Sequence, residues 1–201
     1  MRYHRVMRNM IKGLLLCLVL ASCGGAPPAA LLDHGQSVAL DLFPEGVGRG
    51  YATARVDGNP QSGAPLQKGA VAPDFAFQLA DGRYAKLSDL KGRPVVINFW
   101  ATWCGPCRLE MPELVKAAAA NPDLVLLAAN VQEARSQVEP FAAEFNLRVP
   151  VVLDADGKLS RLYQVRGLPT TYFVDGDGNI AAVVAGALTP QAIADHLTEI
   201  Q

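Results

Sequence analysis

The chain has 201 residues, half of them hydrophobic and 18% charged, with 18 basic and 19 acidic side chains for a formal charge of −1. That composition belongs to a folded chain long enough for one domain and an appendage, and it excludes a disordered polyelectrolyte. No run of lysine and arginine builds the clustered positive face that a nucleic-acid surface needs.

Residues 1–22 are of another kind. Arg2, Arg5, Arg8 and Lys12 precede a short apolar run over 14–20, and no acidic residue interrupts them. A spanning helix needs about 20 apolar residues, so this reads as a secretory signal. The run ends in Leu20-Ala21-Ser22-Cys23, which resembles the bacterial lipobox. The resemblance implies cleavage before Cys23 and lipid modification of that cysteine. The product would be a lipid-anchored, extracytoplasmic protein of the cell envelope. An ordinary cleaved signal with Cys23 incidental is the blander alternative. Removing 1–22 leaves 14 basic and 19 acidic residues, a charge of −5.

Residues 23–68 are rich in Gly, Pro, Ala, Ser and Gln and are expected to be a tether. Weak alternation at Val38, Leu40 and Leu42 and at Ala52, Ala54 and Val56 allows some local structure, such as a hairpin.

A domain is expected over 69–201. Residues 75–79 and 84–86 flank Asp81-Gly82 as a small hairpin, and 87–90 form a helical turn. The apolar run 94–99 suits a strand buried on both faces. A helix follows over 104–120, closed by Asn121-Pro122. A strand at 124–131, a helix at 134–145 and strands at 149–153, 171–174 and 180–184 come next. A last helix spans 190–200, with Thr189 as N-cap and Pro190 in its first turn. Strands alternating with helices give an α/β fold: a mixed central sheet flanked by helices.

Cys17 lies in the signal and Cys23 is the lipid candidate, which leaves Cys104 and Cys107. One close pair in an exported chain constrains only a tiny loop, so its use is chemical rather than structural. A strand delivers the chain to Trp103-Cys104-Gly105-Pro106-Cys107, where a helix begins. Unpaired N–H groups and the helix dipole stabilise a thiolate there. Cys104 is therefore the expected exposed nucleophile, and Cys107, almost a turn deeper, the resolving thiol. Pro106 suits the first turn, where its missing N–H costs nothing. Glu110 continues the spacing of three, either as an acceptor for the Cys107 proton or as an ordinary solvated acid.

The run Trp100-Ala101-Thr102-Trp103-Cys104-Gly105-Pro106-Cys107 resembles the active site of the thioredoxin superfamily. With Ala72-Pro73-Asp74-Phe75, Leu87-Ser88-Asp89-Leu90-Lys91-Gly92 and Gly167-Leu168-Pro169-Thr170-Thr171, residues 69–201 are similar to the extracytoplasmic TlpA/ResA/CcmG branch. This resemblance implies a thioredoxin-like fold with an added N-terminal hairpin and a central βα insertion. It implies a cis Pro169 facing the cysteine pair, with Trp103, Gly105, Pro106, Leu168 and Pro169 on the surface that touches the partner. Asn98 stands where thioredoxins carry a buried aspartate, and in this branch that exchange accompanies a glutamate at the Glu110 position. Glu110 then acts as a proton relay, with a raised pKa if buried. The implied activity is dithiol–disulfide exchange in the reducing direction. Its partners would be exported proteins with cysteine pairs, such as apocytochrome c, and a membrane thiol donor would resupply electrons. A monomer without cofactor is expected.

Other readings fare worse. Zinc needs four ligands, and His4, His34 and His196 fall in the signal, the tether and the last helix. Asp154-Ala155-Asp156-Gly157 and Asp175-Gly176-Asp177-Gly178 lack the spaced acceptors of a calcium loop and read as turns. A peroxiredoxin sets its cysteine in Pro-x-x-x-Thr-x-x-Cys, but residue 97 here is Ile. A copper chaperone of related fold would need a different cysteine spacing and a histidine.

Overall fold

The computed structural model describes residues 40, 43–57 and 66–201. The expected signal, Cys23 and most of the expected tether lie outside the described residues.

Eight strands form one mixed sheet. They are β1 (Ala52–Arg55), β2 (Ala76–Gln78), β3 (Tyr84–Lys86), β4 (Val95–Trp100), β5 (Val125–Val131), β6 (Val151–Asp154), β7 (Thr170–Val174) and β8 (Ile180–Ala185), in the spatial order β3-β2-β1-β6-β5-β4-β7-β8. Four helices join them: α1 (Gly105–Ala120), α2 (Arg135–Glu144), α3 (Lys158–Leu162) and α4 (Pro190–Ile200). β4 runs parallel to β5 and antiparallel to β7, so it lies inside the sheet, and all six of its residues are buried. A strand covered on both faces needs no polar side, which is why 95–100 reads as an apolar run interrupted only by Asn98.

Side chains alternate along β4. Val95, Ile97 and Phe99 enter a core with Phe75, Phe77, Leu159 and Tyr163. Val96 and Trp100 enter the opposite core, covered by Met111 and Leu114 of α1, Val138 and Phe141 of α2, and Ile193 and Leu197 of α4. Asn98, fully buried, is the polar residue between Val96 and Trp100 on that helix-covered side. At the C-terminal end of β4 the chain turns straight into α1.

The segment expected to be a tether contributes part of the sheet. β1 pairs antiparallel with β2 and parallel with β6, and Leu40 and Phe43 are buried in the core. The folded domain therefore starts well before residue 69. Weak local alternation could not reveal partners that lie about 25 and 100 residues away along the chain. A chain cut to begin at residue 66 should lose about 3–6 kcal/mol from Leu40 and Phe43 alone, at roughly 1.5–3 kcal/mol for each buried large side chain. It would also leave the adjoining strand edges unpaired. Urea unfolding checks this, and an unchanged midpoint would contradict the assignment of β1 to the core.

α3 was not expected. Asp154 ends β6; its backbone carbonyl accepts from the Gly157 N–H (3.1 Å) and closes the turn, while its carboxyl accepts from the N–H groups of Leu159 (2.9 Å) and Ser160 (2.8 Å) at the start of a short helix. Burial pushes its pKa up, and these donors pull it partly back.

Candidate active site

Where β4 ends, Cys104 N–H donates to the Ala101 carbonyl at 3.2 Å and closes a tight turn with Thr102 and Trp103 at its corner. Cys104 is the N-cap of α1, with extended backbone, and Pro106 sits in the first turn as the sequence predicts. The two cysteines form a disulfide of 2.03 Å, and Sγ of Cys104 lies 3.3 Å from the Cys107 backbone N–H, which donates to it. One otherwise unpaired amide of the helix start thus points at the Cys104 sulfur.

Cys104 is far less accessible than expected, at 4%, while Cys107 is wholly buried. In this oxidised state both sulfurs belong to the same hydrophobic core as Trp100, Met111 and Phe173. The exposed surface lies around them instead. Trp103 is 72% exposed and Leu109, which sequence reasoning did not single out, is 79% exposed. Gly105 and Pro106 are exposed as well. Two of the most exposed large apolar side chains among the described residues thus lie just before and just after the cysteine pair in the chain.

The Leu168–Pro169 peptide bond is cis. The register pairs Phe99 with Thr170, so Pro169 stands at the start of β7, beside the point where β4 enters the cysteine turn. Leu168 packs against both cores. A groove of about 340 Å3 runs between Trp103 and Leu168, and Gln132, Arg161 and Arg166 also line it. Of the expected contact residues, Trp103 and Leu168 line this one groove.

Glu110 is 1% exposed, so it is not a solvated helical acid. Oε1 accepts from Asn98 Nδ2 at 2.7 Å and Oε2 from the Leu188 N–H at 2.8 Å, in the segment between β8 and α4. Asn98 Nδ2 also donates to Thr171 Oγ1 at 2.9 Å, while Asn98 Oδ1 has no partner among the described residues. Burial raises the Glu110 pKa above its ordinary 4.5, and the two donors hold it back in part. A carboxyl whose pKa is raised holds a proton more readily than an exposed one, which suits it to accept one from a neighbouring thiol. It stands one helical step from the buried thiol position, as the spacing of 104, 107 and 110 predicted.

Arg108 follows Cys107, but its guanidinium turns away from the sulfurs. It lies over the rings of Phe141 and Phe145, at 5.1 and 5.0 Å from their centroids, and pairs with Glu144. It ties the first turn of α1 to α2.

A second buried acid was missed. Glu133, between β5 and α2, accepts from the Thr102 N–H (2.8 Å), the Thr102 hydroxyl (2.5 Å) and Asn130 Nδ2 (2.7 Å). Its one legible signal was an acid just past the end of a central strand adjacent to the one that carries the cysteine turn. Among the described residues no three His, Cys, Asp or Glu side chains are grouped so as to hold a metal ion.

The chain matches known proteins over the part that carries this geometry. Residues 68–183 match the AhpC/TSA family. The chain is similar to the thiol-disulfide oxidoreductase ResA of Geobacillus thermodenitrificans, 37% identical over 135 residues that cover 66% of this chain and 78% of that one. The ResA of Bacillus subtilis strain 168 is 35% identical over 138 residues, covering 68% and 77%. Among solved structures, a Chlorobium tepidum protein given the name thiol:disulfide interchange protein DsbE superposes with a TM-score of 0.62 at 32% identity. That match covers 68% of this chain and 99% of the other.

Proposed function

Because the chain belongs to the AhpC/TSA family and to the ResA-type thiol-disulfide oxidoreductases, we propose that Cys104 and Cys107 carry its exchange chemistry and run it in the reducing direction on exported proteins. The observation that carries this reading is the Cys104–Cys107 disulfide placed at the start of α1.

The geometry supports the following steps. In the reduced protein Cys104 is the thiolate, because the helix start and the Cys107 N–H favour its charged form. It attacks one sulfur of a partner disulfide, a mixed disulfide forms, and the other partner sulfur leaves as a thiolate. Cys107 then gives its proton to the Glu110 carboxylate and attacks Cys104 Sγ. The second partner thiolate leaves, the Cys104–Cys107 disulfide closes, and two electrons have passed to the partner. Glu110 passes its proton on to solvent, and an external dithiol resets the pair. Trp103, Gly105, Pro106, Leu168 and Pro169 receive the partner chain in an extended form, on a surface that includes the apolar Leu109.

The basic, apolar start of the chain ending at Cys23 supports a lipid-anchored site of action on the extracytoplasmic side of a membrane. There a membrane thiol donor could supply electrons, and partners such as apocytochrome c present cysteine pairs. The reducing direction is tested by equilibrating the pair with glutathione. A potential near about −270 mV is expected, whereas one near about −120 mV would make the protein an oxidant and overturn that direction.

A further inference from the structure

Sheet pairing between β4 and β5 ends at Trp100 opposite Asn130. The next residues, Ala101 to Cys104, form the turn that presents the reactive sulfur, and neither the sheet nor the turn uses the Thr102 N–H. That N–H and the Thr102 hydroxyl both go to the Glu133 carboxylate, 31 residues away along the chain. Asn130 Nδ2 donates to the same carboxylate at 2.7 Å, so the end of β5 clamps the acid that clamps the turn. Glu133 is 5% exposed, and its three partners are all neutral donors. A buried carboxylate without a cation costs desolvation energy that an apolar residue would avoid. The arrangement is explained if the carboxylate continues the sheet where backbone pairing stops, locking Thr102 at both of its polar atoms.

We propose that Glu133 is a positioning residue for the exchange reaction, holding the 101–104 turn so that Cys104 Sγ stays aligned with the Cys107 N–H at the head of α1. This rests on Cys104 being the attacking thiol. The residue acts through Thr102 and touches no reacting atom.

Geometry and charge make opposite predictions, which separates them. Glu133→Gln removes the charge but can keep the clamp. Its carbonyl oxygen can accept from the Thr102 N–H and Asn130, while its amide donates to the Thr102 hydroxyl oxygen. Glu133→Ala removes both. A nearby negative charge disfavours a thiolate, so a purely electrostatic role would lower the Cys104 pKa in both variants. Loss of the clamp would raise it in the Ala variant alone, because the thiolate would lose its aligned N–H donor.

The measurement is the pH dependence of Cys104 alkylation in the reduced full-length protein, followed by mass spectrometry. The Glu133→Ala midpoint should rise by on the order of one pH unit, a modest part of the roughly 1–5 units by which helix starts and CxxC settings lower a cysteine. Its exchange rate at neutral pH should fall by about threefold, because the lost thiolate is partly offset by the greater nucleophilicity of a higher-pKa sulfur. Glu133→Gln should keep or slightly lower the midpoint. A midpoint for Glu133→Ala at or below the wild-type value overturns the proposal, whatever happens to its melting temperature. A midpoint for Glu133→Gln raised as far as that of Glu133→Ala overturns it too. If Glu133→Ala does not fold, Thr102→Val removes only the hydroxyl donor. It should shift the midpoint upward by less, and no shift counts against the clamp. The wild-type protein reports separately on the parent reading: without fast Cys104 labelling, that reading fails before Glu133 is at issue.

Discussion

Cys104→Ser should abolish exchange with protein disulfides, and Cys107→Ser should stop it halfway with the partner attached. The two cysteines differ in position, and the difference dictates the outcome. Cys104 caps α1 and carries the small remaining exposure of the pair, while Cys107 is wholly buried one turn in. Without Cys104 no thiolate can reach a partner, and insulin reduction should fall by at least about 10³-fold, the scale of losing a nucleophile. Without Cys107 the attack proceeds but resolution does not, so the protein should accumulate as a stable adduct through Cys104 Sγ. Intact-mass measurement reads both. An adduct on Cys104→Ser, or none on Cys107→Ser, would reverse the assigned roles.

Glu110→Gln should slow resolution of the mixed disulfide by about 10²-fold, the lower range for losing a positioned proton acceptor. The same change should stabilise the fold at neutral pH, and this opposite sign sets it apart from a damaging core mutation. Burial raises the folded-state pKa of Glu110 above 4.5. Its stabilising contribution is therefore fully present below about 4.5, the unfolded value, and is lost as pH rises through the folded one. A neutral amide has no such loss, so the variant's advantage should grow from acidic to neutral pH. The site can accommodate the amide. Asn98 can rotate so that its unpartnered Oδ1 accepts from the new NH2, and the Thr171 hydroxyl can donate to that same oxygen. Urea unfolding at acidic and neutral pH measures the stability change, and quenched-flow resolution measures the rate. A variant with unchanged resolution removes Glu110 from the mechanism.

Much of this site was legible because it is local. The cysteine spacing, the helix start and Pro106 all lie within one turn, and the step of three from Cys107 to Glu110 is fixed by helix geometry. The buried run of β4 declared itself by composition. What escaped depends on contacts distant in sequence. The Glu110 burial comes from Asn98 on β4 and Leu188 beyond β8, neither predictable from spacing. The near-complete burial of Cys104 follows from sharing a core with Trp100 and Phe173, so a thiol at a helix tip was expected to be open when it is not. β1 joins the sheet between strands far from it in the chain, and its own four residues carry only a weak pattern. Glu133 reads as one more polar residue between a strand and a helix until the fold carries Thr102 to it.

Reaction of the reduced protein with iodoacetamide across pH, with each labelled cysteine identified by mass, tests the central claim most directly. The account predicts a single fast site at Cys104 whose midpoint lies well below the ~8.5 of a free thiol, with Cys107 labelled slowly. Two cysteines that both titrate like a free peptide would contradict it.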